Sequence, residues 1–344
     1  MATAFLFPGQ GSQSVGMGYE LYEQHEEARV RFETANEMME DVDLLTLMFG
    51  LGSSSSDPEE RLKQTEITQP ALYTHSLAAM AVGSSSSDPE ERLKQTEITQ
   101  PALYTHSLAA MAVLEAGGAE PDLVAGHSLG EYSALAAVGA LSFEEGLRVV
   151  RRRGELMSEA GDRRPGSMAA VLGADIAHIE SVCEDISAEG EGVVQPANYN
   201  APGQTVISGD VEAVERAMGS IEGRAMPLPV SGAFHSPLME YARGGLTEML
   251  DTVSIDAPRC PVYPNVTAEP TTDPDEIRQR LTEQLLSPVR WAPTLRRMHE
   301  DGATRFVEVG AGQVLQGLVG RTLGDDVEAV GVGTPDEIES VIGA

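Results

Sequence analysis

Apolar residues along this chain gather into short unbroken runs that end on glycine. Ala4-Phe5-Leu6-Phe7 gives way to Pro8-Gly9-Gln10-Gly11, Leu123-Val124-Ala125 to Gly126-His127-Ser128, and Phe306 to Val309 to Gly310-Ala311-Gly312. A run without polar alternation suits a strand buried on both faces, the habit of parallel sheets clothed in helices. Strands are therefore predicted at 3–7, 123–125, 262–266 and 305–309. Leu21, Ala28, Phe32 and Ala35 recur at near-helical spacing within a Glu-rich stretch, which predicts an acidic surface helix over 19–40. An Ala-rich buried helix follows over 131–139, and others over 142–158, over 274–286 and from Gln313. From about residue 160 the rhythm changes to strand 167–172, helix 174–188, strands 193–198 and 205–208, helix 211–222 and strand 225–230. That β-α-β-β-α-β order is the ferredoxin-like split unit. The predicted fold is α/β: an α/β-hydrolase-like large domain with a parallel sheet, built from 1–159 and 232–344, with a ferredoxin-like small subdomain inserted over 160–231.

Residues 52–82 recur letter for letter as 83–113. Solenoid repeats have comparable periods, but they diverge and need about three copies to be stable. Two perfect copies have the look of a recent tandem duplication or an assembly artefact. Only the second copy runs on through Leu114-Glu115-Ala116-Gly117-Gly118 into the strand at 123–125. The expectation is that 83–113 takes the core position and 52–82 is a surface excursion.

Charge narrows the partners. Asp and Glu total 54 against 23 Lys and Arg, a formal charge of −31, and the only lysines are Lys63 and Lys94. Such a surface repels nucleic acid and anionic membranes. It suits a salt-rich cytosol, where screening removes the self-repulsion, so a halophilic source is expected. Cys183 and Cys260 give neither a disulfide framework nor metal-ligand spacing. With no basic, apolar leader and no run near the ~18 apolar residues of a membrane span, a cytoplasmic location is expected. Asn265-Val266-Thr267 matches a glycosylation acceptor, which carries no meaning in a cytoplasmic chain.

The chemistry centres on Gly126-His127-Ser128-Leu129-Gly130. A strand, a sharp turn and a helix in this order form a nucleophile elbow, with Ser128 at its apex over the positive end of the helix. A serine hydroxyl is a weak nucleophile until a base takes its proton. His127 leaves the turn in another direction and reads as structural. His25, His75, His106, His178 and His299 lie on helical, mostly polar stretches. His235, in a loop downstream of the serine, has the chain order expected of the base. Asp210 and Glu240 are conceivable third members, but neither stands out. The loop Pro8–Gln13 lacks the Lys of a phosphate loop and offers free N–H groups for an oxyanion. Arg148, Arg151, Arg152 and Arg153 crowd one helix end, where the dipole favours cations.

Phe7-Pro8-Gly9-Gln10-Gly11-Ser12-Gln13, Thr99-Gln100-Pro101-Ala102-Leu103, Gly126-His127-Ser128-Leu129-Gly130-Glu131-Tyr132, Gly232-Ala233-Phe234-His235 and Glu308-Val309-Gly310-Ala311-Gly312 together resemble the malonyl-CoA:acyl carrier protein transacylases over nearly the whole chain. The resemblance implies Ser128 as nucleophile and His235 as base, oriented by the backbone carbonyl of Gln284 rather than by a carboxylate. It implies an oxyanion hole from the N–H groups of Gln10 and Leu129 and a malonyl-carboxylate clamp at Arg153. Phe234 would exclude an α-methyl branch, and Gln100 and Met157 would lie near the site. No metal or resident cofactor is implied. The partners would be coenzyme A thioesters and the phosphopantetheine thiol of an acyl carrier protein, in fatty-acid or polyketide elongation, with the enzyme a monomer. Arg163, Arg164, Arg296 and Arg297 are a candidate docking patch for an acidic carrier. The competing reading is a serine hydrolase or thioesterase that uses the same elbow with water as acceptor.

Overall fold

The computed structural model describes residues 2–50, 88–230 and 232–343. Its first sheet is built from β1 (Ala2–Phe7), β2 (Leu123–Gly126), β7 (Ala303–Val309) and β8 (Glu328–Val332), in the order β2-β1-β7-β8 and parallel throughout. The unbroken apolar runs are explained by this placement. Phe5 and Phe7 of β1 face one core with Val124, Val307 and Val309. Ala4 and Leu6, with the opposite parity, face another with Ala125, Phe306, Trp291 and Leu318. Helices thus cover both faces.

Helix Thr96–Ala116 lies at the centre of the larger core, against helices Glu26–Met38 and Phe143–Arg163. It belongs to the second copy of the repeat. Its Ala102, Leu103, Tyr104, Ala109 and Leu114 are fully buried. The first copy, 52–82, lies outside the described residues, as does the expectation of a surface excursion.

A second sheet follows in sequence: β3 (Gly166–Leu172), β4 (Val194–Ala201), β5 (Gln204–Asp210) and β6 (Arg224–Pro227), antiparallel in the order β4-β5-β3-β6. Helices Ile176–Ala188 and Val211–Ser220 cover it through Ile179, Cys183, Val214 and Ala217. The second sheet is tied through β4 to the loop that precedes helix Trp291–Glu300. Tyr199 N–H donates to the Val289 carbonyl at 2.9 Å, and Val289 N–H to that of Ala197 at 2.8 Å.

Two elements differ from expectation. The helix over 19–40 is broken at His25, whose φ of −126° and ψ of 122° are extended, so that Tyr19–Gln24 and Glu26–Met38 are separate helices. The second begins afresh with Glu26 and Glu27 in its first turn, where the dipole favours acids. The strand over 262–266 reduces to isolated bridges from Val262 to Val124 and Thr271. Pro261 and Pro264 flank Val262 and lack the N–H groups that a ladder needs.

Glycine makes the elbow possible by close approach. A Cβ on Gly126 would lie 1.8 Å from the backbone of Gly130, and one on Gly130 would lie 2.0 Å from the Phe7 carbonyl oxygen. Gly126→Ala is therefore expected to cost more than about 4 kcal/mol, because only backbone could yield. Urea unfolding would register this as a collapse of the midpoint, and a change below ~1 kcal/mol would contradict the close packing.

Candidate active site

Ser128 sits between β2 and helix Gly130–Ala137 with a φ of +52°, in the left-handed region that a non-glycine residue occupies only under constraint. The constraint is visible. Buried Asn265 accepts the Ser128 N–H through Oδ1 and donates through Nδ2 to the Gly126 carbonyl, both at 2.7 Å. One side chain thus clasps both sides of the turn and leaves the Ser128 hydroxyl pointing at His235.

His235 is 3% exposed and also has a positive φ, +56°. Its Nδ1 lies 2.9 Å from the Gln284 carbonyl oxygen. A carbonyl only accepts, so Nδ1 carries the proton and Nε2 keeps its lone pair. That lone pair accepts the Ser128 hydroxyl at 2.8 Å. Burial, followed by the cation of Arg153, pushes the His235 imidazole down to about 3. The ring is held neutral and ready to take a proton.

Arg153 escapes the solvated fate of its neighbours and is 1% exposed. Its Nη1 donates to Gln100 Oε1 at 2.8 Å, and its Nη2 to Gln284 Oε1 at 2.9 Å and Ser128 Oγ at 3.1 Å. The guanidinium also stands 5.5 Å over the Tyr132 ring. Its Nε is unpartnered, and no carboxylate pairs with it among the described residues. A buried cation held by amide oxygens and a ring can take an anion within reach of the Ser128 hydroxyl. Gln100 Nε2 lies 3.3 Å from Met157 Sδ, which brings both residues to the same wall. Leu129 and Phe234 are buried beside Ser128 and His235 in sequence. The N–H groups of Gln10 and Leu129 bond to no acceptor among the described residues, while the Gln10 side chain donates to Thr96 Oγ1 at 3.2 Å.

With this geometry in place, kinship can be weighed. The Acyl transferase domain family matches residues 4–337. Over 343 residues the chain is 41% identical to the malonyl CoA-acyl carrier protein transacylase of Bacillus subtilis strain 168, covering 98% of this chain and 96% of that one. The chain belongs to the acyl transferase family. Among solved structures, the malonyl-CoA:acyl carrier protein transacylase of Xanthomonas oryzae superposes with a TM-score of 0.83 at 38% identity, over 99% of this chain and 98% of that one. A malonyl-transacylase solved in complex with its type II PKS acyl-carrier protein gives a TM-score of 0.82 at 33% identity, over 100% of this chain and 99% of that one.

The acyl transferase holds other site groups that sequence reasoning passed over. Asn265, whose sequence context shows only a glycosylation motif, clasps the elbow. Glu131, 1% exposed in the first turn of the elbow helix, accepts the Asn265 N–H at 2.9 Å and Gln284 Nε2 at 2.8 Å. Burial pushes its carboxyl up to about 7 against the pull of those bonds and of Arg153. Gln195, on β4, donates through Nε2 to the His235 and Leu286 carbonyls at 2.8 and 3.0 Å, which ties the second sheet to the base loop. A lone charge in an otherwise uncharged, Ala-rich helix is the one signal that could flag Glu131.

Several sequence candidates lie elsewhere. Asp210 pairs with Arg164, and Glu240 with Arg243, so neither serves as a third member. His127 is indeed structural, with Nε2 2.8 Å from Asn200 Oδ1 and its ring edge-on to Trp291. His106 departs from the polar-surface expectation, since it is buried and bonded to the Gly333 carbonyl. Arg151 and Arg152 join surface ion pairs with Asp41, Glu155 and Glu159. Of the docking candidates, Arg164 is taken by Asp210, Arg297 by Asp301 and Glu269, and Arg163 covers the Tyr241 ring at 4.0 Å.

Proposed function

We propose that this protein transfers malonyl from malonyl-CoA to the phosphopantetheine thiol of an acyl carrier protein by a ping-pong Ser-His mechanism. Ser128 Oγ attacks the thioester carbonyl while His235 Nε2 takes its proton. The imidazolium is steadied by its Nδ1–H bond to the Gln284 carbonyl. The oxyanion develops against the N–H groups of Gln10 and Leu129, and a lost donor of that kind costs about 3–4 kcal/mol. Collapse of the tetrahedral species breaks the C–S bond, and His235 protonates the departing coenzyme A thiolate. The carrier thiol then attacks the malonyl-serine ester, gives its proton to His235, and Ser128 recovers it on release.

The observation that carries the malonyl assignment is the buried Arg153 guanidinium 3.1 Å from the nucleophilic oxygen. A carboxylate at the far end of a short acyl group would satisfy it with charge-assisted bonds. Phe234, beside the base, would narrow the space for an α-branch. Met157 and Gln100 would line the acyl pocket. Arg153→Ala is expected to cut the malonyl-over-acetyl preference about 10- to 100-fold, read as the ratio of kcat/KM values for the two coenzyme A thioesters. An unchanged ratio would remove Arg153 from this role. Transfer to carrier that outpaces release of free malonate separates this reading from a hydrolase.

The strand order of the second sheet supports a ferredoxin-like subdomain over 160–231, inserted in an α/β-hydrolase-like domain of 1–159 and 232–344. The same proposal has the enzyme acting in the cytoplasm as a monomer, in fatty-acid or polyketide elongation, with no resident metal or cofactor. No helix among the described residues is long and apolar enough to cross a membrane.

A further inference from the structure

Gln284 serves the site twice, and its two roles are chemically separable. Its backbone carbonyl holds His235, while its side-chain amide lies between groups of opposite character. Nε2 faces two acceptors, Glu131 Oε2 at 2.8 Å and the Ser128 carbonyl at 3.0 Å. Oε1 faces a donor, Arg153 Nη2, at 2.9 Å. An amide can turn over about its last bond with little change of shape. Here the reversed amide would set its oxygen against two oxygens and its NH2 against a guanidinium, so three bonds would become three repulsions. Gln284 is fully buried, which makes the loss of those bonds costly.

The direction of that amide decides whether Arg153 has a second amide oxygen to rest on. Gln100 supplies one acceptor for Nη1, and Gln284 supplies the other for Nη2, the nitrogen that also reaches Ser128. Besides Arg153 itself and the Ser128 carbonyl, the direction is set by a residue that makes no hydrogen bond to Arg153, Ser128 Oγ or His235 among the described residues.

We propose that Glu131 is a positioning residue for malonyl selection: its carboxylate fixes the direction of the Gln284 side-chain amide and thereby holds the Arg153 guanidinium at Ser128. This rests on the reading of Arg153 as the malonyl clamp. Glu131 does so from the first turn of the nucleophile helix, so one acidic side chain ties the clamp to the elbow. The same oxygen also receives the Asn265 N–H, and Asn265 grips the elbow itself.

The test compares kcat and KM for malonyl-CoA and acetyl-CoA, with acyl carrier protein as acceptor, across four variants. Gln284→Met keeps the backbone carbonyl for His235 but deletes the amide. It is expected to lower the malonyl-over-acetyl preference about tenfold, mainly through a higher KM for malonyl-CoA. Glu131→Leu removes the acceptor and should move the ratio the same way. Glu131→Gln restores an acceptor oxygen and should recover most of the preference. A Gln284→Met enzyme with wild-type preference overturns the proposal, as does a Glu131→Leu enzyme that loses both activities in equal measure. If Glu131→Leu does not fold, Gln284→Met and Glu131→Gln decide alone, and failure of Glu131→Gln to keep the preference also counts against it. Arg153→Ala separates the two layers. Preference retained there sinks the clamp reading, whereas preference lost there but kept in Gln284→Met sinks only the role of Glu131.

Discussion

Ser128→Ala is expected to lower malonyl transfer by at least ~10⁴-fold while leaving the fold intact. The substitution deletes one oxygen that donates to His235 and accepts from Arg153. Alanine meets the same steric limits as serine at a φ of +52°, and the Asn265 clasp holds backbone groups, so the turn should persist. Intact-mass measurement after mixing with malonyl-CoA should find one malonyl group on the wild type and none on the variant. An adduct of equal yield on Ser128→Ala would move the nucleophile elsewhere. The size of the effect follows from the mechanism: without a covalent intermediate, coenzyme A and the carrier thiol would have to meet at one carbonyl, and the site offers one base for both.

His235→Ala should cost about 10²–10⁴-fold, the usual weight of a positioned general base. Its pH signature is more telling. A histidine loses its lone pair to protonation as pH falls, and an ordinary one would do so near 6.5. Here burial and the Arg153 cation hold the folded-state value at about 3. The kcat/KM for acylation by acetyl-CoA, which has no carboxylate for the clamp that Glu131 supports, should therefore stay level as pH drops through 6.5 and decline only well below 5. A bend near 6.5 would mean that the cation and the dry pocket do not act on the ring. The same displacement lowers stability as pH falls between 6.5 and about 3, because the unfolded chain then binds the proton that the folded ring refuses. Glu131, raised to about 7, works in the opposite sense: its folded form favours the proton, so its contribution falls as pH rises from 4.5 towards 7.

The elements that position the nucleophile were legible because their signals are local. The run Leu123-Val124-Ala125 and the paired glycines 126 and 130 announce a buried strand and a turn that admits no Cβ. Ser128 and His235 could be named from chain order, and they lie 2.8 Å apart. The third partner was a different matter. A backbone carbonyl leaves no mark in the identity of its residue, so the search for an acid met Asp210 and Glu240, both engaged on the surface. Gln284 emerged from family resemblance, not from its own chemistry. Asn265 shows the converse. Its glycosylation motif carries no meaning in a cytoplasmic chain, and nothing local marks that the fold buries it under the elbow. Edge strand β8 was not foreseen, since its half-exposed residues and the interrupting Gly331 give no unbroken apolar run.

The core helix Thr96–Ala116 raises a question of address. Its residues up to Val113 have perfect duplicates 31 positions earlier, so the slot between Glu26–Met38 and Phe143–Arg163 would greet either copy with the same contacts. Seating one rather than the other moves the spare residues from one connection to the next, and closure entropy depends only weakly on loop length. What differs is the residue beyond the repeat. Leu114 follows the second copy and is fully buried, whereas Gly83 follows the first. One buried leucine is worth about 2 kcal/mol, a bias of roughly thirtyfold between two registers of one chain. Deletion of either copy yields one and the same sequence. Only a mark placed in a single copy would tell them apart.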